Sequence, residues 1–154
     1  MHVGGLIDWP TAELATEVTL RTLITHVDNA VASRVCQTDV GFGGPGPSAL
    51  SVCGNPLSTG GQADAHLFGA PPSTQAFLFA GLNFNPTPLL GGQLVPTPPS
   101  LVLTLTTDSE GQVLLPGITG GGGPATVYAQ YLYLDGNLPF GVGFSNAVAI
   151  DFLP

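Results

Sequence analysis

Beyond residue 40 the chain alternates short apolar runs with Gly, Pro and polar breaks, a rhythm that predicts strands rather than helices. The runs fall at 49–52 (ALSV), 63–68 (ADAHLF), 75–82 (QAFLFAGL), 100–107 (SLVLTLTT), 112–116 (QVLLP), 126–134 (TVYAQYLYL) and 146–153 (NAVAIDFL). In the last run Val148, Ile150 and Phe152 alternate with Ala147, Ala149 and Asp151, the pattern of a half-buried strand with the larger side chains in the core. The stretch TDSEG, 107–111, joins two apolar runs with acidic residues, Ser and Gly, and predicts a hairpin turn. GITGGGGPAT, from residue 117, predicts a wide loop at the end of a sandwich. Together these segments predict an all-β fold, an antiparallel β-sandwich of Ig-like or jelly-roll-like type.

Residues 11–40 follow a different pattern, with no Gly and no Pro. Asp8 as N-cap and Pro10 in the first turn start a helix. Leu20, Ile24, Val27, Val31 and Val35 then recur at helical steps, and Glu17 and Arg21 are spaced to pair across one turn. The β-branched Thr16, Val18, Thr19, Thr22 and Thr25 favour strands instead. Uninterrupted length favours an N-terminal helix over a pair of strands, because strands rarely exceed about ten residues. The expected organisation is an N-terminal segment, residues 1–35, followed by a sandwich domain, residues 36–154.

Composition narrows the function classes. Gly (22) and Pro (15) are abundant, yet 44% of the 154 residues are hydrophobic, so the chain is turn-rich and able to bury a core. Two arginines stand against ten carboxylates for a net charge of −8. A chain so acidic is repelled by nucleic acid and by anionic membranes. No apolar run reaches the length of a membrane span, so no membrane insertion is expected. MHVGGLIDWP lacks the basic and apolar regions of a signal peptide, although a charge-poor, Gly- and Pro-rich β composition is common in exported proteins.

The chemical motifs are few. Gly41, Gly43 and Gly46 carry dinucleotide-fingerprint spacing, but Pro45 and Pro47 remove two N–H donors and no helix follows to present its N-terminus to a phosphate. The chain contains no lysine, which excludes a Walker-type loop. Cys36 and Cys53 are too far apart for a CxxC pair, and His26 and His66 complete no metal-ligand spacing. A disulfide closing the glycine loop is the preferred reading, with two buried thiols as its alternative. Asp64 and His66 would share one strand face, as an oriented base requires, but Ser145 lies outside any nucleophile elbow. Asp108 and Glu110 offer two oxygen donors where calcium takes six or more. Tyr131 and Tyr133 alternate onto one strand face and form a candidate glycan platform, with sandwich packing as the competing reading. No catalytic, metal or cofactor site is expected.

The run from CQTDVGFGGPGPSALSVCGN to FLFAGL, with NPTPLLGGQLVP, TTDSEGQVLLPGITGGGGPATVYAQYLYLD and GVGFSNAVAIDFLP, resembles a C-terminal module of secreted, cell-surface proteins of planctomycete-type bacteria. The likeness covers about residues 36–154. It implies an exported Gly- and Pro-rich β-sandwich and supplies no catalytic residues. The expected function is a noncatalytic extracellular or cell-surface module for scaffolding, anchoring or self-assembly. Its partners would be proteins, either a further copy in a homo-oligomer or other surface proteins. A glycan-binding module and a hydrolase are the alternatives.

Overall fold

A computed structural model describes residues 17, 19–21 and 35–154. The chain divides into two units, Met1–Arg34 and Val35–Pro154. In the first, the described residues are helical, and Arg21 Nη2 lies 2.7 Å from Glu17 Oε1, the pairing that their spacing predicts. The remainder of the predicted N-terminal helix lies outside the described residues, apart from Val35. That residue opens a strand and does not close a helical stripe.

The second unit is all β. Its strands are β1 (Val35–Cys36), β2 (Thr38–Gly41), β3 (Ala49–Gly54), β4 (Gln62–Phe68), β5 (Gln75–Gly81), β6 (Thr87–Leu89), β7 (Gly92–Leu94), β8 (Leu101–Thr106), β9 (Val113–Thr119), β10 (Ala125–Leu134), β11 (Val142–Phe144) and β12 (Ala147–Phe152). The smaller sheet has the order β1-β3-β4-β9. The larger has β2-β12-β10-β5-β8, with β11 paired to β10, and β6 and β7 form a separate hairpin. Every ladder is antiparallel. The predicted antiparallel sandwich is the observed fold.

Period-two alternation builds the core. Leu50 and Val52 on β3, with Ala63, Ala65 and Leu67 on β4, pack against Ala76, Leu78, Tyr131, Tyr133, Val148 and Ile150 of the larger sheet. Phe152 is partly buried against this cluster, so the three larger residues of the last run face the core. Ala147 and Ala149 are buried as well, and β12 is therefore enclosed on both faces over these positions. A second cluster, Leu94, Leu132, Val142 and Phe144 with Phe77 and Phe79, covers the opposite face of the larger sheet. Small side chains in the last strand fit that two-sided burial.

Gln130, fully buried on β10, ties this second layer to the sheet. Its Oε1 accepts from Val95 N–H at 3.0 Å, and its Nε2 donates toward the carbonyls of Phe42, Gln93 and Ser145 at 2.8 to 3.0 Å. Three separate segments of chain thus find partners for backbone groups on one side chain.

Two turn readings are decided by topology. The predicted hairpin at 107–111 is corrected, because β8 pairs with β5 and β9 with β4, so the turn carries the chain from one sheet to the other. Thr107 Oγ1 donates to Pro71 O at 2.7 Å and its N–H to Thr74 O at 2.9 Å, which fixes the corner against the 71–74 loop. Residues 120–124 cross between the sheets, as a loop at a sandwich end should. Strands β1, β2, β6, β7 and β11 carry no apolar alternation long enough to read from sequence; four of them have four residues or fewer beside Gly or Pro.

Candidate interaction edge

The residues singled out by sequence are used structurally. Cys36 and Cys53 form the predicted disulfide, joining directly opposed residues of β1 and β3. The glycine loop they enclose serves packing. Gly41 and Gly46 take φ of +77° and +104°, a region that side chains rarely adopt, and a Cβ on Gly46 would collide with the Tyr133 hydroxyl. A Cβ on Gly44 would come within 2.7 Å of Phe144 Cδ2. Gly46 and Gly44 thus lie against aromatic rings of the two core clusters, Tyr133 and Phe144, whereas a Cβ on Gly41 would meet nothing within 4 Å.

Tyr131 and Tyr133 are both 0% exposed, which corrects the candidate glycan platform: rings inside the sandwich present no face to a sugar. Their position follows from the alternation that made them share a face, since that face of β10 is the core face. Burial pushes the Tyr131 phenol up to about 12. An exposed aromatic group lies elsewhere. Phe84 contacts Phe42 at a ring separation of 5.5 Å and Tyr128 at 5.2 Å, with interplanar angles of 75° and 51°. Those tilts do not make a flat row.

Asp64 and His66 share the outer face of β4, yet each is engaged. Asp64 Oδ1 accepts from Gly117 N–H at 2.9 Å. His66 Nε2 lies 2.7 Å from Gln112 Oε1, while Gln112 Nε2 donates to Glu110 Oε2 at 3.0 Å. The second bond orients the amide so that its oxygen faces the His66 ring. Asp108 Oδ1 accepts from the N–H groups of Glu110 and Gln112, each at 2.8 Å. Ser145 is fully buried, accepts from Tyr131 N–H and donates to Asn146 O. Among the described residues no group of three or more His, Cys, Asp or Glu gathers in a metal-binding arrangement.

What remains open is a sheet edge. Each sheet ends on two edge strands, and natural edges are blunted by brevity, charge, Pro or bulges. Strand β1 has two residues and is clamped by the disulfide. Strand β2 has four, carries Asp39 and shifts register against β12. Strand β9 contains Pro116 and Gly117 and shifts register against β4. Strand β8, LVLTLT, has none of these devices. It pairs in unbroken register with β5 over six residue pairs and contains no charge and no Pro. Leu101, Val102 and Leu103 are 48%, 47% and 37% exposed. Sequence showed the strand but not the edge, because edge position is a property of pairing.

No family model, curated protein or solved structure matches the chain. Among the described residues no helix is long and apolar enough to cross a membrane.

Proposed function

We propose that this chain is a noncatalytic module of an exported, cell-surface protein, and that it attaches to other protein through the open edge of β8. The observation that carries the reading is the contrast among the four end strands of the two larger sheets: three are short, bulged, charged or clamped, and β8 is six residues long, uncharged and continuous. A row of unpaired N–H and C=O groups flanked by apolar side chains is the surface that strand addition uses. The disulfide fits an oxidising compartment, and the acidic surface fits protein rather than nucleic acid as partner.

The engagement of Asp64, His66, Asp108 and Ser145 in hydrogen bonds supports the noncatalytic side of the proposal. Two measurements test it. Selection of displayed random peptides against the full chain should return extended apolar sequences whose binding is lost in Thr104→Pro. Ligands indifferent to that change would place attachment elsewhere. A hydrolase substrate panel should give no turnover that His66→Ala removes; activity dependent on His66 would overturn the noncatalytic reading. Glycan binding is the second reading, now resting on Phe42, Phe84 and Tyr128, and a glycan array with Phe84→Ala as control tests it.

A further inference from the structure

We infer that the occupant of the β8 edge is β8 of a second copy, paired antiparallel about a two-fold axis at Leu103. This rests on the reading of β8 as the docking edge, and adds the identity of the partner.

The register supplies the first argument. Thr107 N–H donates to Thr74 O, its partner when the β5–β8 register is extended by one residue. In an antiparallel ladder, alternate residues direct their backbone groups to opposite sides. The odd-numbered residues of β8 therefore bond to β5, and Val102, Thr104 and Thr106 direct N–H and C=O outward. A two-fold axis at Leu103 sets Val102 opposite Thr104 of the second copy, and Thr104 opposite its Val102, as hydrogen-bonded pairs.

The side chains agree with that register. Directly opposed residues of an antiparallel pair lie on one face. Leu103 then meets its own counterpart, and Leu101 and Leu105 meet Leu105 and Leu101 of the second copy. All three leucines lie opposite residues on the core face of the larger sheet: Leu101 opposite Ala80, Leu103 opposite Leu78, Leu105 opposite Ala76. Leu101 and Leu103 nevertheless remain 48% and 37% exposed, because the core face continues past the cover given by the smaller sheet. Pairing covers a row of leucines with leucines.

Charge and closure favour a second copy over an unrelated chain. Residues 97–107 contain no ionisable side chain, so the edge has nothing with which to select a charged partner. Two copies pairing through this stretch place none of its residues' charges opposite one another, because it has none. A two-fold pairing also uses the unblunted edge β8 of each copy, and among the four end strands of the two larger sheets it leaves none unblunted, which closes the assembly at a dimer.

Sedimentation of the full chain over a concentration series is the test. The expected result is a monomer–dimer equilibrium that Thr104→Pro shifts to monomer without lowering the melting temperature, since the lost N–H faces solvent in the monomer and Pro is tolerated on an edge. Leu103→Lys should give the same shift, which keeps the test open if the Pro variant fails to fold. Leu103→Cys should cross-link copies under mild oxidation, because a non-hydrogen-bonded pair sets Cα atoms about 4.5 Å apart, within disulfide reach. A wild-type chain that stays monomeric up to about 1 mM, the weak end of measurable affinity, overturns the inference. If that monomer still captures strand peptides in a Thr104-dependent way, the docking edge stands and only the second copy fails. A dimer unmoved by Thr104→Pro and Leu103→Lys places the contact elsewhere and also overturns it.

Discussion

Leu103 and Leu78 are opposed across the β5–β8 ladder, yet Leu78 is 8% exposed and Leu103 37%. The cover of the sandwich ends between two adjacent strands. Leu78→Ala should therefore cost about 2 to 4 kcal/mol through lost burial and the cavity left behind. Leu103→Thr in the dilute monomer should stay within about 0.5 kcal/mol of the parent. Urea unfolding of both variants checks the contrast, and equal losses would mean that Leu103 is core.

Gln130 supplies hydrogen bonds to four backbone groups from three segments of chain. Gln130→Leu keeps the bulk but strands those groups in a buried place, and the expected loss is about 2 to 4 kcal/mol. Gln130→Glu should be worse, because it removes the donors and buries a charge. Hydrogen exchange should report the loss first at the amide of Val95. An unchanged midpoint for Gln130→Leu would show that the segments hold without it.

Tyr131 predicts behaviour at alkaline pH. Its phenol titrates near 10 when unfolded and is pushed up to about 12 by burial, so the folded state holds the proton more tightly. The stability linked to it is complete below about pH 10 and is lost as pH rises from about 10 to 12, by roughly 2 to 3 kcal/mol. Tyr131→Phe should flatten this fall. The hydroxyl is buried and has no partner among the described residues, so the Phe variant should be at least as stable at pH 7. Chemical denaturation at several pH values distinguishes the two proteins; parallel curves would assign the alkaline loss to another group.

The Cys36–Cys53 bridge closes a loop across a sequence separation of 17 and holds the two-residue β1 on the sheet. In the chain-entropy model such a loop contributes about 3 kcal/mol. The Cys36→Ala, Cys53→Ala double variant should lose that amount in urea titration. Free thiols in protein matured under oxidising conditions would contradict the bridge.

Strand β12 lies between β2 and β10, with Val148 and Ile150 in the core. Deletion of residues 146–154 removes a strand paired on both sides and should leave the chain unfolded or aggregated. The loss also takes Asn146, whose side chain accepts from Leu50 N–H at 2.7 Å and donates to Leu50 O at 3.1 Å, a link between the sheets. Circular dichroism of the shortened chain checks this, and an unchanged melting curve would make the strand peripheral.

Alternation of apolar and polar positions determined by itself that the chain forms strands and which side chains of each share a face, and in β12 that Val148, Ile150 and Phe152 face the core, because a strand's two faces are fixed by residue parity. The Cys36–Cys53 pairing was also within reach, since two cysteines without metal spacing leave few other uses. Parity could not say what lies against each face. It placed Tyr131 and Tyr133 together, and only the packed sheets made their shared face the core. It marked 100–107 and 112–116 as strands, and the turn residues between them suggested a hairpin. Pairing partners more than twenty residues away sent β8 to β5 and β9 to β4. The short strands β1, β6, β7 and β11 take their form from the ladders they join, not from their own few residues. The edge status of β8 was likewise set by what the larger sheet left unpaired, since an open hydrogen-bonding row belongs to the arrangement of strands and not to any one of them.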